Sequence, residues 1–239
     1  MFHKYPMPKS NQSNNSNQLK VLSTFFLGLP PAHPLEKGRQ VHKFMKSLKG
    51  LDINVIIEKG SHSKDKDGNS LGKANVDPKI IAFLYSNILT PYLMNRASPI
   101  HKYRSSIDDK VIYTILNQYR KYLSNPPIYV VIFTGDEDFL PVAQQIRDYT
   151  EGNIKVYFAS HTCITSGEIK NDIYFINLEK ILANEDYIPP WNTGTVITVT
   201  DGNNLLNALH IGKVISHRED FALATNVIRV IFERLNLIA

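Results

Sequence analysis

The chain has 239 residues, 43% apolar and 10% aromatic, which is enough to bury a sizeable core and too apolar for a disordered chain. A formal charge of +5 excludes a polybasic coat but suits a phosphate-bearing partner. A single cysteine, Cys163, excludes an internal disulfide and a thiolate metal cluster, and no apolar run approaches a membrane span. The expectation is therefore a soluble protein of the cytoplasm or another reducing intracellular compartment.

Residues 1–18, rich in Asn, Ser and Gln without an apolar period, read as a disordered tail. "LKVLSTFFLGL" reads as a buried strand ended by Pro30 and Pro31. "LEKGRQVHKFMKSLKG" sets Val41, Phe44, Met45 and Leu48 at helical spacing and leaves Lys43, Lys46 and Lys49 outside. "INVIIE" supplies a second strand, and strand, helix, strand with one covered face predicts a parallel α/β sheet. The polar loop "EKGSHSKDKDGNSLGKANVDP" is superficially like a calcium loop. Ser70 stands where its sharp turn needs Gly, however, and Val76 where a bidentate Glu is required, so calcium is set aside. Lys64, Lys66 and Lys73 in this loop suit a phosphate backbone or simply a solvated surface. A helix over "KIIAFLYSNILTPYLM" is expected to break near Pro91.

The alternation then resumes. "DKVIYTILNQYRKYL" carries the stripe Val111, Ile112, Ile115, Leu116 and Tyr119, and the continuous apolar run "IYVVIFT" belongs at a sheet centre. "FLPVAQQIRDY" turns Phe139, Val142, Ala143 and Ile146 inward, followed by the strands "IKVYFAS" and "IYFI". Residues 181–194, with two prolines ahead of Trp191, read as a connector to a last unit. That unit, the strand "VITVT" and a helix built on Phe221, Ala224, Ile228, Ile231, Phe232 and Leu235, is too small for a core of its own and must pack on what precedes it.

The candidate chemistry lies in the aspartates. "FTGDEDF" puts Asp136 and Asp138 beyond the carboxyl end of the central strand, where ligands of open α/β sheets collect. Asp201 stands in the same relation to "VITVT", while Asp108 and Asp109 introduce the Val111 helix. Singly, each aspartate reads as a helix N-cap. Occurring together as D-x-D, D-D and D-G-x-N, they read as a site. Crowded carboxylates call for a compensating cation, and oxygen ligands without a Cys or His cluster point to Mg²⁺ or Mn²⁺. Asn203 serves a turn, and Thr134 either satisfies a local backbone group or orients metal-bound water.

"YVVIFTGDEDFLPVAQQIRDYTEGNIKVYFAS" resembles the signature segment of the NYN ribonucleases of the PIN-like superfamily, and "SIDDKVIYTI" resembles their helix carrying the second acidic site. "GEIKNDIYFINLEKI" is similar to the end of that domain, with Asp172 near an outer position. "VITVTDGNNLLNA" resembles its first strand, with Asp201 as the leading aspartate and Asn204 as the asparagine of D-G-x-N. The family's first element thus comes last here.

The resemblance implies a circularly permuted PIN-like α/β fold, a Rossmann-like three-layer sheet flanked by helices, in a single domain over residues 19–239. Closure within one chain is preferred to a swap between two molecules. It further implies a metal-dependent ribonuclease, an endonuclease in preference. Asp108, Asp136 and Asp201 would hold one Mg²⁺ or Mn²⁺, Asp138 and Asp109 would place a second ion or water, and Asn204 and Thr134 would orient it. The acid that relatives often carry one and a half turns beyond the helix aspartate is replaced by Thr114. Arg104, Lys110, Lys102 and His101, with Lys73, are candidates to carry the substrate backbone or are surface charge. RNA is the expected partner, with DNA and a homodimer left open and no membrane. The alternative is a PIN-like nucleic-acid binding or interaction module without turnover.

Overall fold

The computed structural model describes residues 19–29, 35–59, 76–96, 123, 126–185 and 187–238. The expected tail, the lysine-bearing loop and the Val111 helix lie outside these residues, and with them Lys73, Lys102, Arg104, Asp108, Asp109, Lys110 and Thr114.

Strands β1 (Lys20–Leu29), β2 (Ile53–Lys59), β3 (Ile128–Phe133), β4 (Ile154–Ser160), β5 (Phe175–Asn177) and β6 (Thr195–Asp201) form one sheet of order β2-β1-β6-β3-β4-β5. Every pairing in it is parallel. The last strand of the chain occupies the centre, with Thr200 opposite Phe25 of β1 on one side and Phe133 of β3 on the other. Numbered as though the chain began at β6, the strands run third, second, first, fourth, fifth, sixth, the order of the doubly wound sheet whose ligands bind where the winding reverses. Here that point is the carboxyl edge of β6 and β3.

Because helices cover both faces, β3 and β6 are buried at every residue, which is why β3 (IYVVIF) is apolar without alternation, whereas β6 (TVITVTD) buries Thr195, Thr198, Thr200 and Asp201 along with its apolar residues. The pleat divides their side chains between two cores. Phe25, Val131, Phe133 and Val196 face the layer made by α1 (Leu35–Gly50), α6 (Leu178–Leu182), α7 (Gly202–Ile211) and α8 (Phe221–Arg234). Phe26, Val130, Ile132, Ile197 and Val199 face α2 (Asp77–Leu84), α3 (Thr90–Arg96) and α4 (Leu140–Tyr149). The remaining short helix, α5 (Gly167–Lys170), follows β4.

The helix faces follow the sequence periodicity: Val41, Phe44 and Leu48 of α1, and Val142, Ala143 and Ile146 of α4, are all buried. The helix over "KIIAFLYSNILTPYLM" does not break at Pro91. A π-helical turn at Tyr85–Leu89 joins α2 to α3, and Thr90 N–H bonds to the Tyr85 carbonyl five residues back. The extra residue in this wider turn relieves the clash that a proline ring makes with the preceding turn. The fifth strand starts at Phe175, two residues later than expected, because Asp172 Oδ1 accepts from Tyr174 N–H at 2.8 Å and holds the chain in a turn there.

The connector is firmly anchored. Trp191 is fully buried, packs on Tyr129 and Tyr157, and donates from Nε1 to the Leu235 carbonyl at 2.7 Å. It thereby ties the end of α8 to the underside of the central strands, and β6 with its two helices closes onto the preceding units as the small size of that unit requires.

Candidate functional site

The site is built where β3 and β6 end. β3 leads through Thr134 and Gly135 into a 3-10 turn at Glu137–Phe139, and β6 leads directly into α7. Although they are 69 residues apart in sequence, the two motif segments meet: Gly135 N–H donates to Asn204 Oδ1 at 3.0 Å. Both glycines are required by close approach. A methyl at Gly202 would fall on the Phe25 ring and 2.6 Å from the Phe26 carbonyl oxygen, and one at Gly135 would lie 2.8 Å from Ser160 Oγ.

A solvent-open cleft of about 440 Å³ lies over this junction. It is lined by Gly135 to Asp138, by Cys163 to Ser166 and by Asn204. The segment from Cys163 to Ser166 is held by Ser166 N–H to the Gly135 carbonyl at 3.0 Å and by Thr165 Oγ1 to the His161 carbonyl at 2.7 Å. Buried His161 in turn has Nδ1 2.8 Å from Glu179 Oε1, so that it braces this loop against α6. The wall residues Cys163, Thr165 and Ser166 escaped the sequence reading, because nothing in "SHTCITSG" marks them apart from an ordinary polar loop.

The aspartates take different parts. Asp136 Oδ1 accepts from Asp138 N–H at 3.1 Å, and Asp136 N–H donates to Thr134 Oγ1 at 3.2 Å, so Thr134 serves its neighbour's backbone. Asp201 Oδ1 accepts from both Asn203 and Asn204 N–H at 3.1 Å, capping α7. Asp138 is exposed on the cleft wall with Glu137. Asp172 stands elsewhere, paired with Arg147 at 2.7 Å.

Asp201 is nearly inaccessible, and burial pushes its carboxyl up from 3.8 to about 6. The bonds from Asn204 and Asn203 oppose that rise, while the charges of Asp77 and Asp136 add to it. Asp77, in the first turn of α2, was missed by the sequence reading. Its signal, an Asp-Pro pair opening a helix, gives no hint that α2 crosses beside β6.

The expectation of bound Mg²⁺ or Mn²⁺ is corrected. Among the described residues no group of three or more His, Cys, Asp or Glu side chains is placed to hold a metal ion. The physical reason is local: Asp136 and Asp201 each turn an oxygen back onto the N–H groups of the helical turn they begin, the ordinary work of an N-cap, and Asp138 stands exposed. Asp108 and Asp109, the other expected ligands, lie outside the described residues.

Fold and site together define the class: an α/β protein with a six-stranded parallel sheet flanked by helices and a polar, carboxylate-bearing cleft at the point where the winding reverses. No protein-family model matches the chain, and neither a curated protein nor a solved structure shows significant similarity to it. Among the described residues no helix is long and apolar enough to cross a membrane.

Proposed function

We propose that this chain is an RNA-directed domain of PIN-like, circularly permuted NYN type, and that it holds single-stranded RNA by the ribose and base edges in the cleft between β3 and β6. The observation that carries the reading is the bond from Gly135 to Asn204, which unites the T-G-D-x-D and D-G-x-N segments at the reversal point of the sheet. The chemistry of the walls supports this mode of contact. The carboxylate oxygens of Asp136, Glu137 and Asp138 accept hydrogen bonds and repel phosphate, so they suit groups that donate: the ribose 2′-hydroxyl and exocyclic amines. A 2′-hydroxyl contact distinguishes RNA from DNA. Fluorescence anisotropy with single-stranded RNA and DNA of one sequence tests the reading. RNA should bind about tenfold more tightly, the value of one hydrogen bond to a charged group, and Asp138→Ala should erase most of that preference. Equal affinity for the two polymers in the wild type would refute it.

A second reading, turnover of the RNA as a ribonuclease, is favoured by the carboxylates of Asp136 and Asp138, which line the cleft where a bound polymer would lie. A carboxylate within hydrogen-bond reach of an attacking hydroxyl can accept its proton, as general acid–base chemistry requires. In a time course on labelled RNA between pH 5 and 8, Asp136→Asn should then lose cleavage at every pH while retaining binding. Cleavage that persists in that variant would refute this second reading.

A further inference from the structure

We infer that the outer face of α1 is a phosphate track that carries the backbone of the same single-stranded RNA. The inference rests on the reading above only for the identity of the polymer as RNA; the surface itself is argued from charge and geometry. Residues 35–50 contain five Lys or Arg and one Glu, a net +4 out of the chain's +5, so the rest of the molecule is close to neutral. The net excess of positive charge therefore falls on one helix.

It is also ordered on that helix. Arg39, His42, Lys46 and Lys49 recur at intervals of three, four and three residues, which brings them onto one side, and Lys43 stands beside them. All five are exposed, whereas Val41, Phe44 and Leu48 on the opposite side are sunk in the core against β1, β2 and α8. From Arg39 to Lys49 the stripe runs roughly 15 Å at 1.5 Å per residue, on a rod that the core holds rigid. Among the described residues, no carboxylate forms an ion pair with Lys43, Lys46 or Lys49. Lysines without a carboxylate partner among the described residues hold counterions, and those are released when a polyanion binds.

The position links this surface to the cleft. β1 and β2 are parallel, so α1 must return from the carboxyl edge of the sheet to the amino edge. Its first turns therefore start from the edge that bears the cleft, one strand away from β6. A polymer whose sugars and bases sit in the acidic cleft has its phosphates repelled outward, and the stripe, which runs from the cleft-bearing edge toward the amino edge of the sheet, is where they gain attraction. A bilayer suits this face poorly. Its exposed positions from Gly38 to Gly50 are Gly, Arg, Gln, His, Lys and Ser, with no apolar side chain to insert.

The test is a salt titration of anisotropy on a fluorescein-labelled single-stranded RNA, comparing wild type with the triple variant Lys43→Gln, Lys46→Gln, Lys49→Gln. Glutamine is a comparable helix former, and unchanged far-UV circular dichroism and melting temperature would certify the fold. Three lost phosphate contacts should flatten the slope of log K against log salt by about 2, and affinity at low salt should fall at least tenfold. An unchanged slope with unchanged affinity overturns the inference, as does a wild type that binds no RNA. So does loss of binding to phosphatidylserine vesicles in the variant with RNA binding intact, which would reassign the face to a membrane. The cleft reading fails separately, when RNA and DNA of one sequence bind the wild type alike while the slope still drops in the triple variant.

Discussion

Asp201→Asn should stabilise the protein at neutral pH and leave it unchanged in acid. The asparagine keeps the shape and the Oδ1 acceptor that Asn203 and Asn204 N–H groups use, so the cap on α7 survives. What it removes is an ionisable group that burial and neighbouring carboxylates have raised from 3.8 to about 6. The sign follows from proton binding. Below 3.8 the carboxyl is neutral in folded and unfolded chains alike and costs nothing. Between 3.8 and about 6 the unfolded chain releases a proton that the folded chain keeps, so wild-type stability falls as pH rises, and above 6 the loss is complete. At about 1.4 kcal/mol for each pKa unit, the cost of ionised Asp201 at pH 8 is about 3 kcal/mol. For a protein of this size that corresponds to a rise in melting temperature of roughly 6–12 °C. Urea unfolding of wild type and variant at several pH values from 3 to 8 reads the difference directly: near zero at pH 3, growing through pH 4–6, then flat. A variant no more stable than wild type at pH 8, or more stable by the same amount at every pH, would refute the account of a buried, repelled carboxylate. A protein that carries such a cost at the reversal point of its sheet gives a physical reason to look for function there.

Two further predictions concern the scaffold of the cleft. Asn204→Ala leaves the buried Gly135 N–H without its acceptor and should cost about 1–3 kcal/mol in urea unfolding, while Asn204→Asp, which keeps an acceptor, should cost less. Equal losses in the two variants would show that the bond between the segments does not matter to stability. Trp191→Phe retains an aromatic ring between Tyr129 and Tyr157 but removes the Nε1–H that bonds to Leu235. It should cost about 2 kcal/mol by the same measurement, and a loss within experimental error of zero would contradict the anchoring role given to the connector.

The layers were legible because their causes are local. A continuous apolar run marked β3 as a central strand covered on both faces, and the three-to-four spacing of Val41, Phe44 and Leu48 marked the buried side of α1. That the last unit packs on the preceding ones was also foreseeable, since a strand and a helix at the end of the chain have no core of their own; that β6 lies beside β3 was implied only by the family resemblance. The metal expectation failed because an aspartate after a strand is written the same way whether it binds a cation or caps the next helix; Asp136 and Asp201 are drawn to the nearest N–H groups. Asp77 was invisible for the opposite reason: its nearness to Asp201 is made by the packing of α2 across the sheet, and no spacing along the chain records that.

The central claim, that RNA occupies the cleft between β3 and β6, is most directly tested at Cys163. It is the only cysteine of the chain, it is exposed, and it lines the cleft together with Asp136 and Asp138. Burial and the Glu179 charge raise its thiol, so alkylation by N-ethylmaleimide is best followed in mildly alkaline buffer, where enough thiolate forms. Saturating single-stranded RNA should slow that alkylation several-fold, because the polymer covers the sulfur. An alkylation rate unchanged by saturating RNA, with binding verified by anisotropy in the same buffer, would place the RNA elsewhere and contradict the account.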